Sequence, residues 1–208
     1  MPPWELVQTV SVSNDRLDAT IHVNPLGAGH LVVVALNIDE AGTVNTIADS
    51  GASNQYRLIG AGSVQSTMVD ASLWLYYAEN SRPGADEIFI AATHAISGVV
   101  VWEVAGIRTD RSLDAAATLN DPPRSKEPFG PQITTSTPGD FVVSVALANG
   151  TITGMHPGNE FTFDDDGQGN GWSHLTDSRS PAGLHQAQWD QLSATETCSG
   201  AAAFQIGP

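Results

Sequence analysis

One cysteine, one lysine and no amphipathic helical pattern of any length define this sequence first by what it lacks. The single thiol, Cys198, excludes an intrachain disulfide, so no disulfide framework supports the fold. Basic residues are scarce: eight Lys and Arg, with Lys126 the single lysine, stand against 23 Asp and Glu, a formal net charge of -15. Phosphate backbones are repelled by such a surface, and no cluster of cations with interleaved aromatics overcomes it locally, so nucleic acid is not an expected partner. No run approaches the roughly 18 uncharged apolar residues of a membrane span, and MPPWELVQ lacks the basic and apolar regions of a signal peptide. The expectation is a chain made in the cytoplasm without a signal peptide and without a membrane partner.

Catalytic signatures are also missing. There is no GxSxG elbow, and the one thiol lies in an apolar stretch. The six histidines, His22, His30, His94, His156, His174 and His185, form no HExxH or HxH pair, so a zinc site would have to be assembled from distant segments. Glu103 in VVVWEVAG is the carboxylate to inspect for glycosidase chemistry, against the plainer reading of a solvated or paired group near a strand end. The chain is read as non-enzymatic.

What is present is strand after strand. GHLVVVAL, Gly29 to Leu36, is an unbroken run of the kind buried on both faces of a sheet, and GDFVVSVAL, Gly139 to Leu147, nearly repeats it. Gly29 and Gly139 are 110 apart, while SGVVVW at Ser97 and SGAAAF at Ser199 are 102 apart, a drift expected of loop-length change between duplicated units. Chance recurrence of Val-rich strands is the alternative. WELVQTVSV and LDATIHVN read as two strands separated by an Asn14-Asp15 turn, and DEIFIAAT and VVVWEVAGI as two more separated by a Ser97-Gly98 turn. Residues 108–130 are Pro-rich and charged and read as a crossover, with a short helical turn at Leu113 to Thr118 capped by Ser112. Turn signals every 8 to 12 residues in 208 predict an all-β, two-sheet antiparallel β-sandwich, jelly-roll-like, as one domain spanning 1–208. Its candidate half-repeats are about 4–107 and 131–208.

Two features could hold a ligand. DDDGQGNG, Asp164 to Gly171, places Asp166, Gln168, Asn170 and Asp177 at positions 1, 3, 5 and 12 of an EF-hand-like spacing, with Asp164 beside them. Calcium is therefore the one cofactor candidate, against a plain solvated hairpin loop. Among the aromatics, Trp74, Tyr77 and Trp102 have aliphatic neighbours and read as core, while Trp172 and Trp189 have polar neighbours and are the candidates for a sugar-stacking face.

The succession GHLVVVAL, SLWLYYAENSRPGADEIFIAAT, VVVWEVAGIRTDRSLDAAAT, TTSTPGDFVVSVAL and SGAAAFQI covers nearly the whole chain. It resembles the β-sandwich modules of uncharacterised phage virion proteins and bacterial surface proteins. The resemblance implies a jelly-roll-like sandwich used for attachment or assembly, and it brings no catalytic residues with it. The expected function is a structural or interaction protein on a virion surface, a capsid decoration or tail-associated component, with protein partners in an assembly. An oligomer is compatible with that role. The alternative is a carbohydrate-binding module with glycan partners and an extracellular location, using Trp172 and Trp189 beside a calcium-supported loop.

Overall fold

The unbroken apolar runs become strands with a core on each side. A computed structural model describes residues 3–51, 53–120, 122–164 and 167–207. The first half contains β1 (Glu5–His22), β2 (Leu31–Asp39), β3 (Val44–Asp49), β4 (Arg57–Leu58), β5 (Val64–Ser66), β6 (Ala71–Ala78) and β7 (Glu87–Ala105). The second contains β8 (Leu113–Asn120), β9 (Ile133–Thr134), β10 (Phe141–Ala148), β11 (Ile152–Met155), β12 (Phe161–Phe163), β13 (Gly171–Leu175), β14 (Leu184–His185), β15 (Trp189–Gln191) and β16 (Thr197–Phe204). No helix among the described residues is long and apolar enough to cross a membrane.

The strands form a seven-stranded sheet ordered β1-β7-β2-β6-β4, with β3 on β7 and β5 on β6, and a five-stranded sheet ordered β12-β13-β10-β16-β8. All their pairings are antiparallel. Numbered in chain order, the strands along each path run first, fifth, second, fourth, third. The two halves thus share one strand order. β2 and β10 occupy the same central place, each preceded by a glycine with left-handed backbone, Gly29 at φ 75° and Gly139 at φ 83°. Leu31 pairs with Val104 as Phe141 pairs with Phe204, so the structural offset on the partner strand is 100, two less than the SG motifs suggest. A slip of two preserves which face each side chain takes, whereas a slip of one would have turned the cores inside out.

The two sheets pack face to face around Leu31, Val33, Ala35, Trp102 and Val104 from one and Phe141, Val143, Val145, Leu147 and Phe204 from the other. The alternate residues Val32, Val34, Leu36 and Ile38 of β2 face an outer core, and Val142 and Ala146 of β10 face another. Burying both faces is why these runs show no polar alternation. Each such Val or Leu contributes about 1.5–3 kcal/mol on leaving water. Gly200 is fixed by proximity: a Cβ there would stand 2.0 Å from the carbonyl oxygen of Gly62, in a 3₁₀ turn of the first half.

Two expected turns are bends inside long strands. β1 carries register shifts around Ser13, Arg16 and Asp18, where the Asn14 side chain donates to the Asp18 carbonyl at 2.8 Å. β7 doubles back: Asp86 and Ala85, at its start, accept from the amides of Val23 and Leu26, while Glu103, near its end, accepts from the amide of Gly27. The first parts of β7 and the last of β1 therefore lie with β3 over the outer face of the sheet that their other ends build. In the second half, the small pairs β9-β14 and β11-β15 cover the corresponding face.

The helical turn expected at Leu113 to Thr118 is replaced by β8. Ala115, Ala116 and Ala117 pair with Ala203, Ala202 and Ala201 of β16. Alanine's helix preference is a weak prior, and the open edge of β16 overrides it. Ser112 caps no helix, since its amide and hydroxyl both donate to Glu79. About a third of the expected crossover thus belongs to the second sheet.

Candidate functional site

Left-handed backbone at non-glycine residues costs energy and persists only where neighbours impose it. Among the described residues it occurs at Glu40, Ser53, Asp70, Asn80 and Arg111, and Ser53, Asn80 and Arg111 gather at one end of the sandwich. This is the end where β2 and β10 begin and where β6, β7 and β16 finish. Three adjoining hollows of about 510, 330 and 520 Å³ surround the loop at Arg108–Asp110. Arg57 and Arg82 line one of them, Arg108 lines the other two, and Arg111 follows directly in sequence. Four of the chain's eight Lys and Arg therefore converge on one end of a molecule with a formal charge of -15.

Glu79 organises that end. Its carboxylate takes the Ser112 amide at 2.8 Å, the Ser112 hydroxyl at 2.9 Å and Arg57 at 2.6 Å. Burial works against its ionisation, but the Ser112 hydrogen bonds and the Arg57 charge outweigh it and hold Glu79 below the usual carboxylate range. These bonds also pin the strained turn at Arg111. Arg108 donates to the Gln205 side chain at 2.9 Å and stands 3.6 Å from Asp110, which also faces Arg111 at 3.5 Å. Arg82 is exposed, and its backbone amide is anchored by Asn54 at 2.7 Å. Arg82 thus offers its charge to solvent, while Arg57, Arg108 and Arg111 are each partly neutralised by a carboxylate.

Behind the hollows the two halves place different chemistry at matching positions. The residue after the left-handed glycine is His30 in the first half and Asp140 in the second. His30 Nδ1 lies 2.7 Å from Glu103, whose fully buried carboxylate also takes the Gly27 amide and the Gln8 side chain, each at 2.6 Å. Glu103 lies near the end of β7 and is paired, as expected, but it is fully buried and anchors the loop at 24–30. Asp140 is 2 % exposed, and as an anion it would have no well-aligned donor on either oxygen. Burial and the neighbouring Asp114 push its carboxyl up to about 7. As a neutral acid it can give its proton to Asp114, which already accepts from the Ser136 amide at 2.7 Å, the Ser136 hydroxyl at 2.6 Å and Gln205 at 2.9 Å. The arrangement is electrostatic and positional: a basic, polar rim over buried acids that fix the loops carrying it.

The residues expected from sequence lie elsewhere. The sugar-stacking face is corrected: Trp172 and Trp189 are both fully buried, Trp172 in the core between the sheets and Trp189 in the outer core of the second half. Their polar sequence neighbours misled because alternate residues of a strand face opposite ways. Of the core candidates, Tyr77 and Trp102 are buried, while Trp74 is half-buried and donates to the Gly42 carbonyl at 3.1 Å. Asp164 is not an open calcium ligand. Its Oδ2 takes the Trp102 indole at 2.8 Å and lies 2.7 Å from His174 Nδ1, tying the first sheet to the second. Asn170 is buried, Gln168 is exposed, and Asp177 accepts from the Arg179 amide at 2.9 Å within a turn. Asp166 lies outside the described residues. The arginine-lined end was missed because its four cations come from β4, from the turn between β6 and β7 and from the loop between β7 and β8, and nothing in their spacing says that these segments meet.

No family model matches the chain, and no curated protein matches it. Among solved structures, the PBSX exported protein XepA aligns over 96 % of this chain and 86 % of its own length, at 10 % identity and a TM-score of 0.26, too low to mark a shared fold.

Proposed function

We propose that this protein is a non-enzymatic assembly module whose arginine-lined end docks on an acidic surface of a neighbouring subunit, and that it works on a virion surface as a decoration or tail-associated component. The observation that carries the docking mode is the charge segregation: Arg57, Arg82, Arg108 and Arg111 share one end, while the formal charge of the whole is -15. A second copy of the same chain presents such an acidic surface, so the contact is head to tail and its geometry decides between rings and open arrays. The virion location rests on the sequence resemblance to phage virion modules. The glycan-binding alternative loses its support, because both of its tryptophans are buried.

Mass photometry and negative-stain imaging across ionic strength test the docking mode. Oligomers are expected at low salt, dissociating towards about 1 M salt, where charges are screened beyond about 3 Å. The double variant Arg82→Glu/Arg111→Glu, which alters two exposed cations, is expected to remain monomeric with an unchanged melting temperature. A wild-type protein that is monomeric at every salt and concentration, or oligomers indifferent to the charge reversal, would remove the proposal. Retention on a glycan array would reinstate the alternative.

A further inference from the structure

The second half carries a set of metal-ligand groups away from the arginine-lined end. β15 is flanked by β11 on one side and by the extended segment at 126–128 on the other: the amides of Gln191 and Trp189 donate to the carbonyls of Lys126 and Pro128 at 2.8 and 3.0 Å, and the His156 amide donates to the Gln188 carbonyl at 2.9 Å. Trp189 and Gln191 of β15 are buried, so the residue between them, Asp190, turns outward. Glu127 from the crossover side and His156 from the end of β11 meet it there, with one ligand atom of each within 4.8 Å of the others. His156 Nδ1 is 2.8 Å from Asp190 Oδ1. Among the described residues neither carboxylate has an Arg or Lys partner within ion-pair distance. Two carboxylates thus converge on one imidazole with no fixed cation between them, on three segments whose main chains are hydrogen-bonded into place.

We infer that Glu127, His156 and Asp190 bind a divalent transition ion of the zinc class. One imidazole nitrogen and two carboxylate oxygens form a mixed N,O donor set, which suits zinc better than the all-oxygen preference of calcium or magnesium. Three protein ligands leave the remaining coordination to water, and the site is open enough for the ion to reach it. The ion joins the segment that links the two halves to the outer layer of the second half, so its effect is structural: it fastens Glu127, 29 residues before His156 and 63 before Asp190 in the sequence, to both.

Isothermal titration of chelator-treated full-length protein with zinc chloride, alongside thermal unfolding, tests this. One zinc ion per chain is expected, with a rise in melting temperature of about 5 °C or more at 100-fold excess over the dissociation constant. His156→Gln and Glu127→Gln are each expected to weaken binding about tenfold or more while leaving the metal-free melting temperature within a few degrees, because Glu127 is exposed and His156 and Asp190 are only half-buried. Absence of heat and of thermal shift at millimolar zinc would overturn the inference. So would zinc binding of unchanged affinity in both variants, or a calcium response equal to the zinc response, since either places the ion elsewhere.

Discussion

Asp140 makes stability fall as pH rises, the reverse of what a salt-bridged carboxylate does. Its carboxyl sits at about 7 in the folded protein against an ordinary 3.8. Between those values the unfolded chain has released the proton and the folded chain keeps it. Stability then declines by up to about 1.4 kcal/mol per pH unit, and the whole loss is present above about pH 7. Asp140→Asn keeps the shape of the neutral acid and an N–H for Asp114, and it never ionises. Urea unfolding followed by tryptophan fluorescence at pH 5, 6, 7 and 8 should show the variant pulling ahead of the wild type by about 2–3 kcal/mol across the series. In melting temperature that is about 5–10 °C for a chain of this length. Glu79 and Asp114 are held below their ordinary values and stay ionised throughout. His156, raised chiefly by its hydrogen bond to Asp190, titrates alike in both proteins, so it cancels in the difference. Parallel stability curves, or a variant less stable than wild type at pH 8, would refute the reasoning.

Three further outcomes follow from buried contacts. Glu103→Ala strips the acceptor from Gly27, Gln8 and His30 at once, and urea unfolding should register a loss of about 3–5 kcal/mol. Trp102→Phe keeps the ring in the inter-sheet core but removes the donor to Asp164; a loss of about 1–3 kcal/mol is expected in the same assay, and a neutral result would mean that His174 alone satisfies the carboxylate. Gly29→Ala and Gly139→Ala both force a side chain into left-handed backbone, at about 1–2 kcal/mol. At Gly139 the new Cβ would also stand 2.9 Å from the Ser178 carbonyl, against 3.8 Å to the nearest atom at Gly29. The second substitution should therefore lower the melting temperature more than the first, and equal effects would contradict the packing.

Much of the architecture was legible because it depends on local pattern. The unbroken runs at Leu31 and Phe141 demanded two buried faces, and the structure places both at the centre of their sheets. Errors arose where a neighbour decided. Asn14-Asp15 and Ser97-Gly98 carry turn chemistry, but the long strands bend there and pair on in the next layer. Leu113 to Thr118 favours a helix alone and a strand once β16 offers an edge. Trp172 and Trp189 have polar neighbours in sequence and fully buried side chains in space, because pleating separates adjacent residues.

An all-β sandwich, an acidic balance and a dearth of cations were readable along the chain, because composition and strand periodicity are local properties. Tertiary structure alone decided that the halves share one strand order. It also decided that four scattered arginines meet at one end, and that Asp164 serves Trp102 and His174. Glu127, His156 and Asp190 likewise come together only there, since such sites are built from segments tens of residues apart, and their convergence is set by sheet pairing, which no spacing along the chain encodes.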